Sequence, residues 1–140
     1  MATTVSYDHE FPYPYDDSGE SYPFLQVQLI NPTDPSRTVE VDAHVDSGCG
    51  RSLFNGELAA AIGLQFMNGQ AYKYSSTSGN GLSARLHQVT VSHPELGRFQ
   101  LEVGFSEKRI WRNLLGRDFF ALIQIGFRER HSTFYVTAMP

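Results

Sequence analysis

The stretch TVEVDAHVDSGCG, Thr38 to Gly50, constrains this chain more than any other. Apolar and polar residues alternate through Val45, the signature of a strand with one face in a core. The run then ends on a carboxylate followed by Ser, Gly, Cys and Gly. A carboxylate at the end of a buried strand must give up water, which is costly without compensating partners. Either Asp46 is exposed in a turn, or the fold supplies partners and uses it.

The rest of the chain reads in the same β-rich way. FLQVQLI (Phe24 to Ile30) alternates apolar and polar residues. NPTDPSR follows as a turn cluster, so the two runs predict a hairpin leading into Asp46. NGELAAAIGL predicts a short helix, with Asn55 as its N-cap and Gly63 as its stop. AYKYSSTSGNGLSARLHQVTVSH has strand-like ends around a Gly- and Ser-rich tip, and GRFQLEVGF reads as another strand. In NLLGRDFFALIQIGF a helical portion is expected just after Gly116. RERH reads as a turn into a last strand, STFYVTA. The fold class expected is therefore all-β, mainly strands with one or two short helices. No internal repeat or linker interrupts it.

Composition narrows the setting. With 140 residues and 41% hydrophobic content, the chain supports one compact core. A formal charge of −4 does not suggest a nucleic-acid binder. The acidity is local: Asp8, Glu10, Asp16, Asp17 and Glu20 precede the first basic residue, Arg37, and the remainder is near neutral. Residues 1–22, rich in Tyr, Pro and Asp, lack periodicity and read as an extended arm or frayed terminus, with the folded domain at 23–140. A single cysteine excludes an intramolecular disulfide and fits a reducing compartment. The first residues have neither the basic nor the apolar region of a signal peptide, and no run is long enough to span a membrane. A cytoplasmic location is expected.

D-[ST]-G alone is weak, since about one chain in fifteen of this length carries it by chance. Context sharpens it: a strand before it, the small Cys49 after it, a helix soon after, a Gly-tipped hairpin, and the later Leu114-Leu115-Gly116-Arg117. This order of parts resembles the retropepsin-like aspartic proteases, in the retroviral and stand-alone bacterial form, over roughly residues 24–136. The resemblance implies a closed, barrel-like acid protease fold of a single lobe. It implies Asp46, Ser47 and Gly48 as the catalytic turn and Ser78, Gly79, Asn80 and Gly81 as the tip of a flap over the substrate. Leu114, Leu115, Gly116 and Arg117 would support the turn from behind. The activity implied is an aspartic endopeptidase acting on extended peptides, with two carboxylates sharing one proton. One chain holds one such turn, so a homodimer is implied. A noncatalytic dimerisation or peptide-binding module of the same fold is the alternative.

The sequence departs from the family pattern in two places. Viral relatives often carry an acid where Gly50 stands, paired with the Arg of the helix motif. Arg117 is then left to Asp118, to the C-terminal carboxylate or to no partner. Ser47 also replaces the commoner Thr. Asp42, His44 and Asp46 share a strand face, but the five histidines are scattered without ligand spacing, so no metal and no cofactor are expected. Cys49 reads as a small buried thiol, and Trp111 as a side chain tucked against the core.

Overall fold

A computed structural model describes residues 1–139. Ten strands and two short helices alternate along it: β1 (His9–Pro12), β2 (Phe24–Asn31), β3 (Asp34–Val45), β4 (Leu53–Asn55), α1 (Glu57–Ala61), β5 (Gln70–Tyr74), β6 (Leu82–His93), β7 (Gly97–Ser106), β8 (Asn113–Leu115), α2 (Arg117–Phe120), β9 (Ile123–Arg128) and β10 (Thr133–Ala138). Short 3₁₀ turns cover Phe66–Asn68 and Glu129–His131.

Seven strands form one sheet in the order β2-β3-β8-β4-β7-β6-β5. A further pairing of β2 with β6, Gln28 to Ile30 against Ser92 to Thr90, closes the ring and leaves β5 outside as a hairpin partner of β6. Closure removes the open edges that a free sheet would expose. The interior is filled by the inward residues of each strand, among them Val27, Leu29, Val41, Ala43, Val45, Val89, Val103, Phe105 and Leu115. Each fully buried Val or Leu contributes about 1.5–3 kcal/mol relative to exposure. The expected all-β, barrel-like architecture with two short helices is the one observed.

Local differences have identifiable causes. Asn55 does not cap α1; the cap position is Gly56. Asn55 ends β4 instead, where its side chain accepts from Ile110 N (2.8 Å) and donates to Asn113 Oδ1 (3.2 Å). Gly63 stops the helix as expected, at φ +75°. The segment after Gly116 makes only one helical turn. Ile123–Arg128 alternates with period two and pairs with β10, so strand pairing overrides the helical reading there. In the amino-terminal segment, β1 pairs with β10, extending a second sheet ordered β1-β10-β9. Tyr13, just after β1, is 6% exposed and donates its hydroxyl to Glu129 at 2.6 Å. No described helix is long and apolar enough to cross a membrane.

Candidate active site

The Asp46 turn is positioned by a parallel pairing. Ala43, His44 and Val45 lie beside Asn113, Leu114 and Leu115, and Asp46 N donates to Leu115 O at 2.9 Å. The end of β3 therefore arrives against Gly116. Within the turn, Cys49 N donates to Asp46 O (3.2 Å) and Gly48 N to Asp46 Oδ1 (2.8 Å). One carboxylate oxygen is thus aimed by the backbone. Gly48 leaves that oxygen room, because a Cβ there would come to 3.2 Å of it. Asp46 is half-buried while Ser47 and Gly48 are exposed, and the Ser47 hydroxyl makes no hydrogen bond to the described residues.

Behind the turn, backbone hydrogen bonds tie it to the start of α2. Arg117 N donates to Cys49 O (2.7 Å) and Asp118 N to Gly50 O (3.2 Å). A Cβ on Gly116 would sit 2.5 Å from the Cys49 carbonyl oxygen, so only glycine allows this approach. Ser52, not singled out from sequence, and Asp118, read there only as a partner for Arg117, complete the lock. The Ser52 hydroxyl accepts from Gly116 N (2.9 Å) and donates to Asp118 Oδ1 (2.7 Å). Ser52 N reaches both oxygens of the same carboxylate at 3.0 Å. The available signal was an acid in the first turn of α2, facing the strand after the Asp46 turn. Of the three fates open to Arg117, the ion pair with Asp118 is not made, and Arg117 has no salt bridge among the described residues.

Cys49 is half-buried rather than buried. Its thiol donates to Arg51 O at 3.0 Å. Burial, aided by the Asp46 and Asp118 carboxylates, pushes its pKa up to about 11. It remains a protonated, poorly nucleophilic thiol at neutral pH.

Ser78, Gly79, Asn80 and Gly81 lie together at the exposed tip of the β5–β6 hairpin. Gly79 takes φ +82° and donates to Ser76 O at 3.1 Å, and the Ser76 hydroxyl contacts Asn80 O and Ser78 Oγ. The root of the hairpin is pinned: Tyr74 donates its hydroxyl to Ser52 O at 2.8 Å and packs where a side chain on Gly104 would be. Ser52 therefore anchors both the hairpin and the lock behind Asp46. Beyond that pin the tip has few neighbours, a suitable division for a moving lid on a fixed base.

The outward face of β3 carries Asp42, His44 and Asp46. Tyr22 stands edge-on to His44 at 5.1 Å between ring centres. Burial lowers the His44 pKa, with the Asp46 carboxylate acting in the opposite direction. A depression beside Asp46 is walled by Tyr13, Tyr22, His44, Phe127 and Glu129. Trp111, expected against the core, is 88% exposed. Its loop is held through Ile110 N on Asn55 and through Arg112, which leaves the indole no core position to fill. Among the described residues, no three His, Cys, Asp or Glu side chains converge to hold a metal ion.

No protein-family model matches the sequence, and no curated protein matches it. Solved structures do. A retropepsin-like aspartic protease from Rickettsia conorii superposes with a TM-score of 0.65 at 12% identity, over 97% of this chain and 100% of that one. The EIAV protease, solved in complex with the inhibitor HBY-793, superposes with a TM-score of 0.53 at 16% identity, over 73% of this chain and 88% of that one.

Proposed function

We propose that this chain, which has the retropepsin-like aspartic protease fold, is a homodimeric aspartic endopeptidase that cuts extended peptides between apolar residues. The observation that carries this reading is the Asp46 turn itself. One carboxylate oxygen is aimed by Gly48 N, the turn is clamped by Leu115, Arg117 and Asp118, and Ser47 is left free. That degree of preorganisation around a lone carboxylate at a strand end suits catalysis better than packing.

The chemistry needs two such carboxylates and each chain brings one, so the active form is a twofold dimer. Ser47 hydroxyls tie the two turns across the axis. Two carboxylates about 3 Å apart cannot both ionise, so they hold one proton between them and titrate as a pair. The ionised Asp46 takes a proton from water, whose oxygen attacks the scissile carbonyl carbon. The protonated Asp46 of the other chain gives its proton to the carbonyl oxygen. Collapse of the resulting tetrahedral diol breaks the C–N bond as a proton passes to the leaving nitrogen. Ser78, Gly79, Asn80 and Gly81 close over the peptide, which binds as an added strand. Leu114, Leu115, Gly116 and Arg117 keep the turn rigid, and no cofactor takes part. Residues 23–140 form the protease domain and 1–22 an arm laid along it. A reducing cytoplasmic setting suits the single cysteine.

A second reading, a noncatalytic dimerisation or peptide-binding module, is favoured by one observation: Arg117 lacks an acidic partner at Gly50. Digestion of a diverse peptide library, beside Asp46→Asn, separates the two. Cuts made by the wild type and absent in the variant support the protease. No cuts from a folded dimer would remove that reading.

A further inference from the structure

Arg112 is a charged, half-buried group that the mechanism above does not use. It stands one position before β8, beside the strand that delivers Asp46. Its guanidinium lies 3.7 Å over the Tyr22 ring and 2.8 Å from the Glu20 carboxylate. Its Nε is buried with no hydrogen-bond partner. Tyr22 is a wall shared by two openings, the depression that holds Asp46 and a wider cleft lined by Asn55, Arg109 and Trp111. The Arg112–Tyr22 stack thus sits between the carboxylate of the proposed active site and the exposed indole.

Glu20 belongs to a loop shaped by its own contacts. Tyr15 and Ser21 bridge its ends, and Asp16 Oδ1 accepts from Ser18 N, Ser18 Oγ and Glu20 N. None of these uses the Glu20 side chain, which is 57% exposed and touches Arg112 alone among salt-bridge partners. A long, exposed carboxylate on a loop that does not depend on it is readily exchanged. Arg112 is different: it is fixed on an aromatic face and always charged, so it offers a preorganised place for a carboxylate. Asp16, Asp17 and Arg109 face the same cleft, and replacing one carboxylate by another leaves their balance unchanged.

We propose that Arg112 is a specificity-determining residue that takes an acidic side chain of the peptide substrate at the place Glu20 holds in the free chain. This deepens the protease reading and rests on it. The substrate class is an extended peptide with Glu or Asp a few residues from the apolar cleavage point.

The test uses two pools of acetylated, amidated decapeptides with an apolar centre, identical except for Glu or Gln at the flanking positions. Binding is read on full-length Asp46→Asn protein through Trp111, the only tryptophan in the chain and a wall of the same cleft. The Glu pool is expected to bind about tenfold tighter, as a charge-assisted pair allows. Glu20→Gln should tighten it further by removing the competitor. Arg112→Gln should abolish the difference, and Arg112→Lys, which keeps the charge and guards against a folding defect, should retain part of it. Equal binding of the two pools, no binding of either, or a preference that survives Arg112→Gln would overturn the proposal. Digestion of the same pools by wild type keeps the two readings apart. Cutting without a Glu preference overturns the specificity alone, whereas a Glu preference in binding with no cutting overturns the protease reading alone.

Discussion

Gly116→Ala probes the clamp behind Asp46. The added Cβ would meet the Cys49 carbonyl oxygen at 2.5 Å and the carbonyl carbon at 3.0 Å, both backbone atoms. Backbone strain is not the problem, since φ −100° and ψ −165° at Gly116 are open to any residue. The Cys49 carbonyl cannot retreat freely, because it accepts from Arg117 N at 2.7 Å while Cys49 N is tied to Asp46 O. Relief therefore requires the turn to shift by several tenths of an ångström. Overpacking of this kind costs about 1–3 kcal/mol, and weakening one or two hydrogen bonds adds about 0.5–1.5 kcal/mol each. The stiffer unfolded chain returns about 0.4–1 kcal/mol. A net loss of about 2–3 kcal/mol follows, or a fall in Tm of roughly 8–12 °C for a domain of this size. On the proposed dimeric mechanism, peptidase activity should fall further, by about 100-fold, because the displaced carboxylate would no longer meet its partner in register. Gly50→Ala is the matched control. Its Cβ meets only the Arg117 guanidinium, at an ordinary 3.5 Å, so the stiffer unfolded chain is left unopposed and its Tm should lie at or up to about 4 °C above that of wild type. Thermal unfolding and peptide cleavage on the three proteins decide the matter. A Gly116→Ala protein as stable and active as wild type, or a Gly50→Ala protein equally damaged, would refute the reasoning.

Two further predictions concern the surroundings of the same turn. Asp118→Ala leaves the N–H and hydroxyl of Ser52, a fully buried residue, without their acceptor; denaturant unfolding should show a loss of about 3 kcal/mol, and a loss under 1 kcal/mol would show the lock to be dispensable. Burial holds the His44 pKa below its unfolded value near 6.5, so below that pH the unfolded chain takes up a proton that the folded chain resists. This contribution to stability is present above about pH 6.5 and is lost as pH falls toward the folded pKa. His44→Gln should flatten the loss between pH 7.5 and 5.5 in urea titrations, and an unchanged slope would refute the assignment. His93, lowered by burial in the same direction, is the control that should continue to titrate.

The parts of this molecule that were legible in the sequence are those written in short-range pattern. Alternation located β2, β3, β7 and β10, and the Asp-Ser-Gly triplet after a strand located the turn. What escaped depends on partners distant in the chain. Ser52 and Asp118 lie 66 positions apart, and the β4–β8 pairing, with Leu53 beside Leu114, brings them together. Asn55 looked like a helix cap because its neighbours are good helix formers; its actual partners, Ile110 and Asn113, lie on another segment. Ile123–Arg128 adjoins a true helical turn, and its strand character comes from β10. Trp111 reads from sequence as a side chain tucked against the core, whereas its loop is fastened by Asn55 and Arg112 on either side of it. The strand at His9–Pro12 was hidden for the same reason, since its partner is at the opposite end of the chain.

Whether one catalytic centre is built from two Asp46 residues is decided by a mixing experiment. Wild-type protein at fixed concentration is equilibrated with increasing Asp46→Asn protein, and peptide cleavage is followed. If two chains share one site and exchange at random, activity falls to about half with an equal amount of variant and to about a quarter with a threefold excess. Activity that stays constant as the variant is added would contradict a shared centre, because each chain would then be working alone.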